Sequence, residues 1–231
     1  MTYEMIFNNI YFGLLLCVGT YWFGMLLKKR FRWAILNPLL ISIVLSIAFL
    51  CIFRVPYEYF NKGAQGLSLM ITPCTVCLAV PLYRQIEMLK KNFRAVIVGC
   101  VCGVLSSLVC IWLMSLLFRF PENVYASLLP KSITTAIGMG ISQELGGIPN
   151  LTVGAIVMTG LLGNMIAVGV VKFFRITEPI AAGLAIGSAS HALGTAKALE
   201  IGELEGAMSS LAISVCGLLT VLGASAFAMI Y

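Results

Sequence analysis

The chain has 231 residues, of which 60% are hydrophobic and only 10% charged, and its mean hydropathy is +1.01. That composition excludes an ordinary soluble globular domain. The formal net charge of +6 does not point to nucleic acid, because the basic residues sit in short loops between apolar runs, where they follow the positive-inside bias.

A helical bilayer crossing takes about 20 apolar residues. Charge-free runs long enough lie between Glu4 and Lys28, Arg32 and Arg54, Lys62 and Arg84, Arg94 and Arg119, Glu144 and Lys172, and from Glu205 to the end. The apolar/polar alternation of a β-barrel is absent. The pattern predicts a polytopic, all-α membrane protein. Only Glu4 precedes the first run, which ends in Lys28, Lys29, Arg30 and Arg32. It is therefore expected to be a retained anchor and not a cleavable signal peptide.

In chain order, spans are predicted at 8–27, 33–53, 66–83 and 95–118. Loops 28–32 and 84–94 hold the basic excess and are assigned to the cytoplasm, with the N-terminus outside. The third span contains Pro73 and ends in Pro81, and proline removes a backbone donor and interrupts a helix. The second half reads differently. Segment 130–149, PKSITTAIGMGISQELGGIP, is too polar for a plain span and carries Gly138, Gly140, Gly146 and Gly147 as helix-breaking positions. Segment 151–171 is a clean span. Segment 179–197 is again interrupted, at Gly183, Gly187 and Gly194, and 206–231 closes as a clean span. The sum is about seven or eight transmembrane segments, some discontinuous or re-entrant, in one membrane domain spanning 1–231. If 130–149 crosses, loop 172–178 lies outside; if it is re-entrant, that loop lies inside.

ITPCTVCLAVPLYRQ and IGSASHALGTAKALE both place small polar residues before a basic one. Broken segments at matching places in two halves are the pattern of inverted-repeat transporters, whose substrate site lies between them at the membrane midplane. Repeats at roughly 1–118 and 119–231 are expected on this reading.

Polar groups at membrane depth are costly and point by default to function. Pro130 followed by Lys131, Ser132, Thr134 and Thr135 reads as a helix start, which favours anions; small-residue helix packing explains the same residues. Gln143 and Glu144 would line a cavity or sit at the interface. The stretch GSASHALGTAKALEIGELE supplies Ser188, Ser190, the single histidine His191, Thr195 and Lys197. His191 would bind a carboxylate or shuttle a proton, or else sit neutral, bonded to a neighbouring helix. Lys197 would balance an anion or snorkel to the interface. No substrate-activating set of nucleophile, base and orienting group is evident. The chain has no Asp, one His and no nucleotide-binding loop, so neither an enzyme nor a cofactor is expected. Cys74 and Cys77 have C-x-x-C spacing without a second pair or a histidine, so no metal is expected.

LLPKSITTAIGMGISQELGGIPNLT and GSASHALGTAKALEIGELEGAMSSLA resemble the LrgB/CidB family of bacterial inner-membrane proteins, over 127–220 most specifically and, through TPCTVCLAVPLYRQ, over most of the chain. The family pattern in that earlier segment is closer to G-P-A-T-V-A-L; here Cys74 and Cys77 replace small residues. The resemblance implies two functions. One is transport of small monocarboxylates of the pyruvate, glycolate or lactate type, as in a plastid relative that looks like a glycolate/glycerate translocator. The other is antiholin-like regulation of murein hydrolases, autolysis and programmed cell death. A small LrgA/CidA-type holin-like membrane partner is implied. A homodimer is expected because a chain this small needs a stationary neighbour if one part moves. Proton coupling through His191 would complete the transport reading.

Overall fold

A computed structural model describes residues 7–31, 37–70, 73, 77, 83–84 and 86–231. Most of the segment around Pro73 and Pro81, including Cys74, lies outside the described residues; Pro73 itself is exposed. The secondary structure among the described residues is helical. The chain divides into two compact units, Met1–Cys77 and Leu78–Tyr231.

The first unit holds α1 (Ile10–Phe31), α2 (Pro38–Ile52) and α3 (Tyr57–Leu69). Lys28, Lys29 and Arg30 occupy the last turn of α1, where cations favour the negative end of the helix dipole. Asn37 caps α2, accepting from the Leu39 N–H at 2.9 Å, and Pro38 fills the first helical position. Thr20 of α1 meets Ser42 and Ser46 of α2 at 2.9 and 3.2 Å, a hydroxyl contact of the kind that joins helices in lipid.

The second unit holds α4 (Ile86–Lys91), α5 (Phe93–Phe118), α6 (Glu122–Leu128), α7 (Thr135–Glu144), α8 (Pro149–Phe173), α9 (Pro179–Ile201) and α10 (Glu203–Ala228). Among the described residues, α1, α5, α8 and α10 are long and apolar enough to cross a membrane. Helices α5 and α10 run parallel: Cys216 lies 3.9 Å from the Cys100 carbonyl, and the Tyr231 hydroxyl donates to the Ser115 carbonyl at 3.2 Å. Helix α8 runs the other way: its first turn meets Ser127, beyond the end of α5, through Thr152 at 2.9 Å.

Helix α9 is not straight. At His191 the backbone takes φ 41°, ψ −139°, a region that L side chains rarely adopt. The chain reverses there. A Cβ on Gly194 would lie 3.0 Å from the Ile186 carbonyl, although eight residues of straight helix would separate them by about 12 Å. Ile186 and Ala198 share one cluster with Ala167. The two arms of α9 therefore form a helical hairpin with its tip at His191. Gly187 and Gly194, expected as the breaks, instead admit close approach: a Cβ on Gly187 would lie 2.5 Å from the Ser209 carbonyl of α10. Small residues let helix backbones touch where apolar side chains give no advantage over lipid.

Helices α6 and α7 form another hairpin, the first of the two in chain order (α9 being the second), entering from the opposite end of α5, with its tip at 129–134. Its base rests on a knot of buried hydroxyls. Thr152 donates to Ser142 at 2.7 Å and to the Ser127 carbonyl at 2.9 Å, and Ser127 accepts from the Ile148 N–H at 2.7 Å. The helix runs unbroken through Gly138 and Gly140. The turn falls at Gly146 (φ 75°) and Gly147, whose N–H groups donate to the Gln143 and Ser142 carbonyls at 3.2 and 2.7 Å. This is a Schellman ending, which calls for glycine at the left-handed position.

Candidate functional site

Helix α5 carries three stripes. Val96, Cys100, Val104, Leu108 and Ile111 are buried in the core shared with α10. Val98, Leu105, Val109 and Leu113 are exposed, as lipid-facing residues would be. The third stripe, Ala95, Gly99, Gly103, Ser106 and Ser107, is small and ends in hydroxyls; it forms one wall of a cavity of about 950 Å³. The first arm of α9 and the middle of α8 form the other walls.

The cavity reaches the helix ends at Asn92 and Glu178, and its deep end is polar. There the first hairpin's tip presents Lys131 and Ser132. The Lys131 ammonium donates to the Ser132 hydroxyl at 3.2 Å, and Ser107 meets the same hydroxyl at 3.0 Å. The ion pairs among the described residues are Arg84–Glu203 and Lys197–Glu200, so Lys131 has no carboxylate partner there. A half-buried ammonium with hydroxyls beside it suits an anion.

The second hairpin brings Ser188 and Ser190 to the same space. Both are accommodated by absent side chains opposite. A Cβ on Gly103 would lie 2.8 Å from the Ser188 hydroxyl, and one on Gly163 would collide with the Ser190 side chain. Thr159 also lines this end.

His191 does not line the cavity. It is 5% exposed, and its Nε2 lies 2.9 Å from the Ile156 carbonyl. A carbonyl only accepts, so Nε2 carries the proton. Gly160 of α8 leaves room for the ring. Asn164 donates to the Leu193 carbonyl at 2.7 Å, and Thr195 donates to the His191 carbonyl at 3.1 Å while meeting Ser209 at 2.7 Å. Side chains thus satisfy carbonyls around the broken helix, as membrane burial requires. Ile156 joins both tips: its carbonyl meets His191, and its Cδ1 lies against Gly138 of the first hairpin.

Of the residues proposed from sequence, Lys131, Ser132, Ser188 and Ser190 come together in the cavity. Thr134 stands at the N-cap position of α7 without a side-chain capping bond and Thr135 begins the helix; neither lines the cavity. Gln143 and Glu144 are exposed at the far end of α7, away from the cavity. Lys197 is paired with Glu200 at 2.6 Å and is also outside it. Sequence reasoning passed over Ser106, Ser107, Thr159, Asn92 and Glu178. A signal for the serines existed: Gly99, Gly103 and Ser107 recur every four residues in an otherwise apolar run, a helical stripe of small residues.

The chain matches the model of the LrgB-like family over residues 17–230. It belongs to the LrgB family. Similar proteins called "Antiholin-like protein LrgB" occur in Bacillus mycoides (strain KBAB4), Bacillus cereus (strain B4264) and Bacillus anthracis (strain CDC 684 / NRRL 3495). Each is 36% identical over 212 residues, covering 91% of this chain and 92% of the relative. No solved structure matches the chain.

Proposed function

We propose that this LrgB-family protein is a secondary transporter of small monocarboxylates of the pyruvate, glycolate or lactate type. The observation that carries the reading is Lys131, a cation without a carboxylate partner among the described residues, at the deep end of a cavity whose other charged lining residue is Glu178 at the mouth. One positive charge deep and one negative charge outside favour a monoanion over a dianion. Ser107, Ser132, Ser188 and Ser190 supply the remaining hydrogen bonds.

The architecture supports the same reading. We take α5, α8 and α10 as crossings and the two hairpins as re-entrant from opposite faces. Helix α5 with the first hairpin and α8 with the second then form an inverted pair over 93–148 and 149–201, a different division from halves at 118. Arg84, Lys90, Lys91, Arg94, Lys172 and Arg175 belong to the Asn92 end, whereas Arg119 lies at the other. The positive-inside bias makes the Asn92 end cytoplasmic in a bacterial inner membrane, with loop 172–178 inside. The cavity faces the cytoplasm in this conformation, and access from outside requires the first hairpin to move. A homodimer and a small LrgA-type partner would supply the stationary frame. The His191 ring, turned to the Ile156 carbonyl, fits a strap better than a carrier of the coupling proton.

A second reading, direct antiholin-like regulation of murein hydrolases and autolysis, is favoured by the names of the relatives. Uptake of labelled pyruvate, glycolate and lactate by the purified protein in liposomes, with and without the partner, separates the two. Saturable uptake lost in Lys131→Met supports transport; no uptake of any of the three under either condition leaves the regulatory reading.

A further inference from the structure

The cavity is larger and less polar than a two- or three-carbon acid needs. Its volume of about 950 Å³ lies near the top of the roughly 300–1,000 Å³ range of pockets that hold drug-sized ligands. Polarity is also unevenly distributed along it. Hydroxyls and Lys131 gather at the deep end, and Asn92 and Glu178 at the mouth. Between them the walls are Gly99 of α5, Ala181, Leu184 and Ala185 of α9, and Leu162 and Ile166 of α8. Ser107 and Gly99 are eight residues apart on one helix face, a path of about 12 Å.

We propose that the cavity takes amphiphilic monocarboxylates, with the carboxylate at Lys131, Ser132 and Ser107 and an aliphatic tail lying toward the mouth against Gly99, Leu184 and Leu162. The inference rests on the transport reading for its anion site and goes beyond it in substrate class. The 12 Å path suits a straight chain of roughly six to eight carbons. Each added methylene leaves water for an apolar wall, which strengthens binding about four-fold. A tail longer than the apolar stretch meets Asn92 and Glu178 and gains nothing more.

The test has two arms, both on the full-length chain. In liposomes, labelled pyruvate uptake is competed with acetate, butyrate, hexanoate, octanoate and decanoate at pH 7.5, with protein-free liposomes correcting for passive permeation. Half-inhibitory concentrations are expected to fall about four-fold per methylene and then level off near eight carbons. Ala185→Phe fills the middle of the cavity and should flatten that series, bringing the octanoate value up toward that of acetate; Ala181→Phe serves if the first variant folds poorly. In detergent, octanoate should raise the melting temperature of the wild type more than acetate does, and should not stabilise Lys131→Met. Pyruvate uptake with no gain beyond three carbons overturns the inference and leaves the transport reading standing. Absence of any carboxylate uptake overturns the transport reading instead, and the melting arm then decides the inference: equal shifts with acetate and octanoate would end it.

Discussion

Both hairpins of the second unit carry an ionisable residue at the tip and use it in opposite ways. At the first tip, Lys131 faces the cavity and donates to the Ser132 hydroxyl. At the second, His191 turns away from it and holds a backbone carbonyl of α8, while its neighbours Ser188 and Ser190 face the space. On the transport reading, an ionisable group at membrane depth is a ligand in one hairpin and a strut in the other. What separates them is the partner: a carbonyl satisfies a neutral imidazole, but a hydroxyl does not neutralise an ammonium.

The largest effect is expected at the first tip. Lys131→Met should lower pyruvate uptake by roughly 100-fold, because a charge-assisted bond to a buried anion is lost, with little change in melting temperature. Lys131→Arg should retain part of the rate. Unfolding of Lys131→Met at wild-type growth temperature would instead make Lys131 a strut like His191.

At the second tip the order is reversed, with stability affected before chemistry. His191→Ala should destabilise the protein by about 1–3 kcal/mol, since the buried side-chain bond to the Ile156 carbonyl is lost and the ring leaves a gap beside Gly160. His191→Gly loses the same bond but relieves the backbone at φ 41°, and should melt higher than His191→Ala by about 1 kcal/mol. His191→Gln keeps a donor and should restore most of the stability. The pH profile of uptake should keep its shape in His191→Gln; a flattened profile would return His191 to proton coupling.

Smaller effects are expected between the tips. Gly163→Ala pushes the Ser190 side chain aside and should raise the KM for pyruvate by about ten-fold, the cost of one hydrogen bond, leaving kcat less affected. Thr195→Val removes the contact with Ser209 and should cost about 0.6–1.7 kcal/mol, as for other interhelical hydroxyl bonds in membranes. Lys197→Ala breaks only the ion pair with Glu200 near the hairpin base. It should change stability by less than about 1 kcal/mol and leave uptake unaltered. A loss comparable to that of Lys131→Met would place Lys197 on the transport path.

Much was legible before any coordinates. Hydropathy and charge-free length marked α1, α5, α8 and α10 as helices of crossing length, because lipid requires long apolar helices; the further spans expected at 33–53 and 66–83 are not matched by helices of that length among the described residues, where Pro38–Ile52 is shorter. Polar, glycine-rich composition marked 130–149 and 179–197 as irregular, because such stretches cannot face lipid. Residues at both tips, Lys131, Ser132, Ser188 and Ser190, were picked out on the same ground. The exact places where the chain turns were not legible. Gly187 and Gly194 looked like breaks yet serve close packing, while the reversal falls at a histidine held in a rare conformation. Composition reports that a helix is interrupted; contacts with α8 and α10 select where.

The orientation of each polar side chain also lay beyond sequence. One histidine in a serine-rich segment is equally a ligand or a strut until the carbonyl of Ile156 and the gap at Gly160 are placed beside it. Ser107, within an apolar span, gains its polar partner only when the first hairpin's tip lies opposite and Ser132 meets it at 3.0 Å. Burial in lipid acts on each segment separately and is written in local composition. Hydrogen-bond satisfaction acts between segments, and here it joins residues 25 to 35 positions apart, as in Ser107–Ser132 and Ile156–His191.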